Sequence, residues 1–310
     1  MRVKLHCFFV CFCCFVDFGI AQQTPQFTQY MFNPLVLNPA YAGSREVIST
    51  VLLYRNQWVN FDGAPTTITA SVNSPLKNKK LGVGVHVISD KIGPCSMNQY
   101  VGSFAYRIRL NSGKLAFGLR AGLYDYYYDW SKVDYKDKAD IFNSGAITHL
   151  LKPAFDFGMY YYNSSFYAGV TLAQLSTKSS NSTTLLANFS NQLAPHIIAT
   201  AGKAIEINSM ITLRPSVVVR YTNNAPVNLD LNASLLLDEK IWLGMGIRSN
   251  KSLVFIGEYN ISKLIRVGYS YDLTTQKLGL TNKGSHEFFV GFDIDFFKAK
   301  TISPRLFKYN

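Results

Sequence analysis

The sequence predicts an all-β fold, a transmembrane outer-membrane β-barrel of about fourteen antiparallel strands. Three observations predict it. The chain opens with a secretory signal, and no later stretch approaches the roughly 18 uninterrupted apolar residues that a membrane-spanning helix requires. Between Val47 and Phe297 one unit recurs: about eight to twelve residues rich in Val, Ile, Tyr, Phe, Leu and Gly, then a turn of Asn, Ser, Asp, Gly or Lys. Composition agrees. Charged residues are 16% of the chain and aromatics 14%, whereas a soluble domain carries about 25% charged residues.

Residues 1–21 read as the signal peptide. Arg2 and Lys4 precede the apolar run from Leu5 to Ile20, and Gly19 and Ala21 put small residues at positions minus three and minus one of a cleavage point. Cys7, Cys11, Cys13 and Cys14 leave with it, and none follows the small residues that a lipid-modified cysteine needs. The mature chain keeps only Cys95, so no internal disulfide can form. The formal charge is +12. A secretory address sends that charge away from nucleic acid, and outer-membrane lipid, lipopolysaccharide or an acidic partner is expected to meet it.

Residues 22–46 form a segment ahead of the barrel. Within it, Gln26 to Gly43 combines Phe27, Tyr30 and Met31 at helical spacing with two Asn-Pro breaks, Asn33-Pro34 and Asn38-Pro39. One amphipathic turn followed by extended turns is expected. The segment is placed in the periplasm, where it either plugs the barrel or clasps a partner.

Residues 47–297 carry the barrel. Alternation is clearest where Leu115, Phe117, Leu119, Ala121 and Leu123 interleave with Ala116, Gly118, Arg120, Gly122 and Tyr124. It recurs where Ile241, Leu243, Met245 and Ile247 interleave with Trp242, Gly244, Gly246 and Arg248, and again from Phe288 to Phe297. Period two with one apolar face means a strand that meets a different medium on each side. Strands are expected to begin near Val47, Thr66, Leu81, Asn98, Lys114, Pro153, Phe166, Pro195, Ser209, Val227, Lys240, Ser252, Leu264 and Gly284.

Connections give a second signal. Even-numbered ones are short, as at Asn111 to Gly113 or Asp238 and Glu239; odd-numbered ones are mostly longer, as at Gln57 to Pro65, Asp90 to Met97, Trp130 to Leu151, Gln174 to Ala194 and Leu273 to Lys283. Ser249 to Lys251 departs from the pattern, being short where a loop is expected. Hairpins on the periplasmic side and loops outside put both chain ends in the periplasm, including a polar tail over residues 298–310.

Motifs for catalysis are weak. His86, His149, His196 and His286 lack metal-ligand spacing. Asp134, Asp137 and Asp140 stand three apart, whereas an EF-hand loop needs spacing two and a following Gly. Gly82 with Gly84, and Gly244 with Gly246, lack the third glycine of a dinucleotide fingerprint and lie inside strands. Tyr126 to Tyr128 with Trp130 suit an aromatic belt better than a sugar-stacking platform. No enzyme activity and no cofactor are expected.

The chain resembles the PorP/SprF family of Bacteroidetes, outer-membrane proteins of the type IX secretion system and its gliding-motility branch. The resemblance rests on Gln26 to Gly43, on Arg55-Asn56-Gln57-Trp58-Val59-Asn60-Phe61-Asp62-Gly63-Ala64-Pro65-Thr66-Thr67, on Asp90 to Pro94, on Gly284 to Glu287 and on Ser303 to Phe307. Val59-Asn60 and Leu306 depart from the usual pattern. The family implies a protein that assists export or surface anchoring of an exported partner protein while touching periplasmic or peptidoglycan-linked type IX components. The candidate contact residues are Gln26, Phe27, Gln29, Tyr30, Met31, Asn33, Pro34, Asn38, Pro39, Tyr41, Gly43, Arg55, Trp58, Asp62, Gly63, Pro65, Pro304 and Arg305. An outer-membrane channel for small hydrophobic or polar molecules is the alternative, and a soluble secreted β-protein the more distant one.

Overall fold

The computed structural model describes residues 25–135, 147–175, 194–223, 225–275, 279 and 281–296. Fourteen antiparallel strands follow one another around a closed wall: β1 (Ile48–Asn56), β2 (Thr66–Pro75), β3 (Leu81–Ile92), β4 (Cys95–Leu110), β5 (Gly113–Asp129), β6 (Ile147–Tyr162), β7 (Phe166–Ala173), β8 (His196–Lys203), β9 (Ile211–Thr222), β10 (Asn228–Leu237), β11 (Ile241–Arg248), β12 (Ser252–Asn260), β13 (Ile265–Thr274) and β14 (Ser285–Ile294). Each pairs with its sequence neighbour. The last closes on the first, from Ile48 opposite Ile294 to Asn56 opposite His286. Closure pairs every strand on both sides across the band, the condition for strands to cross lipid, and only the loop-end extension of β6 before Phe157 runs past its β7 partner.

The wall is inside out. Along β5 the outward Leu119 is 61% exposed while its neighbour Arg120 is buried. Along β1, Leu52 and Tyr54 face out, and Val51, Leu53 and Arg55 face in. Apolar side chains therefore meet lipid, and the arginines and carboxylates of the strands gather in the lumen.

Pro215 lies in mid-strand on β9. The partner strand β8 breaks at Ala204 beside it: Ser216 pairs with Gly202 on one side of the break, and Leu213 with Ile205 of the short piece Ile205–Glu206 on the other. A proline without an N–H fits beside such an interruption.

Three expectations about connections change. The predicted loop from Asp90 to Met97 is a tight hairpin, with β3 running to Ile92, Gly93 at φ +52° and Cys95 already in β4. A two-residue turn needs only that one left-handed glycine, which a reading of Gly-Pro as a loop does not anticipate. β6 begins at Ile147, six residues before Pro153, because β7 pairs with β6 only from Phe157 onward and Pro153 has a free edge. Ser249 to Lys251 is a true hairpin turn between β11 and β12, so no strand is missing there.

One end of the barrel thus carries the turns 76–80, 111–112, 163–165, 207–210, 238–240 and 261–264. The other carries 57–65, 93–94, 130–146, 174–195, 223–227, 249–251 and 275–284. These are the turn end and the loop end. The signal peptide, the tail from 297 with Pro304 and Arg305, Asp137 and Asp140, and most of the two long loops fall outside the described residues.

Candidate functional site

The lumen is occupied by the chain's own residues 25–46, which run from the loop end to the turn end. Pro25 and Gln26 are half-buried at the loop end, and from Phe27 onward only Pro34 and Val36 are not fully buried. Instead of an amphipathic α-helical turn there are three 3-10 turns, Tyr30–Phe32, Pro34–Val36 and Pro39–Tyr41. Each Asn-Pro pair starts one, since proline pre-sets the backbone angle of a first helical position. The Asn38 side chain caps the third by accepting from Ala40 N at 2.9 Å. A segment surrounded by wall has no solvent face, so amphipathic spacing is not required of it.

The loop-end half is pinned by charge. Glu287 on β14 accepts from Thr28 N at 2.9 Å and Gln29 N at 2.8 Å, and Gln29 Nε2 donates to Glu287 O at 3.1 Å. Thr28 Oγ1 donates to Asp272 at 2.7 Å and accepts from Arg55 and Arg248, each at 2.8 Å. Arg220, Asp230, Arg248, Asp272, Arg55 and Glu287 alternate in sign across the lumen, with contacts of 2.7, 3.7, 3.0, 2.7 and 3.1 Å in that order. Buried charges persist only when paired in this manner.

Below this, Phe27, Met31 and Phe32 pack with Val51, Val218, Trp242 and Phe289, Phe32 lying edge-on to Trp242 at 6.1 Å between centroids. Tyr30 reaches Ser216 at 3.1 Å and Asn232 at 2.9 Å. Further down, Arg120 pairs with Asp156 at 2.9 Å and donates to the carbonyls of Leu35 and Val36, and Arg107 donates to Ala42 O at 2.6 Å. At the turn end Arg45 meets Asp293 at 2.6 Å, and Glu46 takes Lys79 and Lys114. The wall is thinned to admit the chain: a Cβ on Gly118 would stand 2.1 Å from Ala40 N, and one on Gly82 2.1 Å from Ala42 O.

The predicted contact residues therefore separate. Phe27, Gln29, Tyr30, Met31, Asn33, Asn38, Pro39, Tyr41, Gly43 and Arg55 are buried in the lumen together, with Pro34 half-buried and Gln26 at its entrance. Of the two expectations for residues 22–46, a plug or a clasp for a partner, their described part, residues 25–46, fills the barrel as a plug. Pro25 lies at the loop end and Ile294 at the turn end, and the chain termini, expected on one side, fall outside the described residues. The physical reason for the plug is that the ion-paired strand charges retain hydrogen-bonding capacity which Thr28 and the backbone of residues 28–46 fill. Strand parity had placed Arg120, Arg248 and Asp293 on the inner faces, which was the available signal for these pairs.

Trp58, Asp62, Gly63 and Pro65 lie at the loop end, in the 57–65 connection. That loop is strapped on three sides. Val59 N donates to Gly284 O and Lys283 N to Val59 O, both at 2.8 Å; Gln57 N donates to Pro65 O at 2.9 Å; Gly93 N donates to Gly63 O at 2.9 Å. Trp58 at φ +49° and Asn60 at φ +70° are held in the left-handed region, which costs on the order of 1–3 kcal/mol per residue. Asp62 and Gly63 are exposed, Trp58 half-buried and Pro65 buried. Phe61 is 45% exposed and lies edge-on to Trp58 at 6.5 Å.

Among known families, the one described as "Type IX secretion system membrane protein PorP/SprF" matches residues 19–292. The chain belongs to the PorP/SprF family. Membership and the closed barrel make it a multi-pass outer-membrane component of type IX secretion. Solved barrels resemble this PorP/SprF chain in fold alone. The CymD monoaromatic hydrocarbon channel is 10% identical over 86% of this chain and 93% of that one, with a TM-score of 0.53. The TodX deltaS2S3 mutant monoaromatic hydrocarbon channel is 10% identical over 84% and 94%, at 0.50. Omp33 of Acinetobacter baumannii is 8% identical over 81% and 100%, at 0.49. No curated protein matches the chain.

Proposed function

We propose that this PorP/SprF protein is a rigid, plugged docking barrel that is neither an enzyme nor a channel. Its loop end faces the cell exterior and engages an exported surface protein, assisting its export or anchoring. Its turn end and the tail with Pro304 and Arg305 face periplasmic or peptidoglycan-linked components of the same secretion system. The observation that carries the reading is the filling of the lumen by residues 25–46 through paired charges. A barrel so filled offers its two rims and not its interior. The strapped loop 57–65, with Trp58, Phe61, Asp62 and Gly63, is the best-formed part of the outer rim.

A channel reading draws on CymD and TodX, whose names describe monoaromatic hydrocarbon channels. Two measurements decide. Affinity capture of the protein from solubilised outer membranes is expected to bring down an exported protein and periplasmic type IX components, and the purified barrel is expected to be silent in planar bilayers. Steady single-channel conductance with no co-purifying protein would reverse the assignment.

A further inference from the structure

The lipid-facing wall of β1 to β3 ends abruptly at the loop end. Tyr54 and Ile68 are paired neighbours, 43% and 56% exposed, and belong to the apolar band. One step nearer the loops the outward row becomes Asn56, Thr66 and Lys91, which are paired in register across the same three strands. Over this polar row the 57–65 loop folds back and leaves a cavity of about 470 Å³, lined among others by Asn56, Trp58, Asn60, Phe61, Thr66 and Lys91.

Several features make this a built site. Its roof cannot collapse, because the loop is tied to the 275–284 connection through Val59 and to the β3–β4 hairpin through Gly63. Trp58 N also donates to Ser285 Oγ at 3.1 Å. Trp58 and Asn60, both held in the left-handed backbone region, line the cavity. Among the described residues the exposed Lys91 ammonium has no ion-pair partner, while the carboxylates of the lumen lie on the opposite face of the wall. A lone cation, two amides, a hydroxyl and an indole stand together directly above an apolar band. An indole edge and amides suit a sugar ring, and the free cation suits a phosphate.

We infer that this pocket binds the phosphorylated sugar headgroup of an outer-leaflet glycolipid, with Lys91 on the phosphate and Asn56, Asn60 and Trp58 around the sugar. The acyl chains then lie along Tyr54 and Ile68. The inference rests on the reading that the loop end faces outward.

Full-length protein in detergent would be titrated with diphosphoryl lipid A, dephosphorylated lipid A and phosphatidylglycerol, binding being followed by native mass spectrometry. Diphosphoryl lipid A is expected to bind at least about tenfold more tightly than either of the others. Lys91→Gln is expected to remove that preference and Lys91→Arg to retain it. Asn60→Gly, which keeps the left-handed backbone and removes the amide, is expected to weaken binding several-fold with unchanged heat-modifiability. Equal binding of all three lipids, or full preference in Lys91→Gln, would overturn the assignment. Orientation is read separately, by labelling Asp62→Cys in a Cys95→Ser background on intact cells with a membrane-impermeant maleimide. Labelling only after permeabilisation would defeat the outward orientation, whereas loss of lipid preference in detergent would defeat the pocket.

Discussion

Two regions carry the chain's most distinctive sequence, residues 26–43 and residues 55–67, and the barrel uses them in opposite ways. The first is consumed by the interior: Gln29, Leu35, Ala40 and Ala42 are wholly buried, and its backbone N–H groups answer the carboxylate of Glu287. The second begins in the interior with Arg55 and leaves it at once, holding Trp58 and Phe61 at the rim on a backbone tied to both neighbouring connections. Distinctive sequence can thus serve either the wall's need for charge neutrality or an outside surface, and the direction of the hydrogen bonds tells which.

The comparison can be broken most directly by topology, where the outcome is all or none. An epitope inserted after Gln23 is expected to be accessible to antibody on intact cells, and one fused after Asn310 only after permeabilisation. Matching accessibility would mean that residues 25–46 do not thread the lumen end to end.

Next in size is charge removal. Arg55→Ala leaves Glu287 without its cation and Asp272 with Arg248 alone, the two carboxylates being 3.1 and 2.7 Å from the lost guanidinium, and is expected to cost about 3–5 kcal/mol. Urea titration of the heat-modifiable band measures it. An effect below about 1 kcal/mol would mean that the lumenal network is not what holds the segment.

Gly118→Val places a side chain against Ala40 N and is expected to cost about 1–3 kcal/mol by overpacking. It should also make residues 25–46 sensitive to protease, and persistent resistance would put the segment elsewhere. The smallest effect on stability belongs to the rim. Phe61→Asp is expected to change unfolding by no more than about 0.5 kcal/mol while lowering capture of the exported partner. Unchanged capture would remove this loop from the docking surface.

Much of the wall was legible in residue order. The alternation of Leu119 with Arg120, or of Ile247 with Arg248, already assigned a lipid face and a lumen face, because neighbouring side chains of a strand point to opposite sides whatever the partner strand is. Gly-Pro at residues 93 and 94 was misleading for the same local reason: one left-handed glycine suffices for a hairpin, and composition does not distinguish a hairpin from a loop. In the candidate site, the rim group Trp58, Asp62 and Gly63 was correctly separated from the strands, while Thr28, Asp272 and Glu287 had no local mark that joined them.

By itself, residue order determined a closed antiparallel wall of fourteen strands with an apolar outside, because period-two patterning and turn chemistry act within a few residues. Where residues 25–46 go was decided only in three dimensions. Thr28 lies 244 residues from Asp272 and 259 from Glu287, so their charges and donors become neighbours only after β14 closes on β1. Electrostatic completion of an enclosed space is a property of the closed barrel, and no stretch of chain carries it before closure.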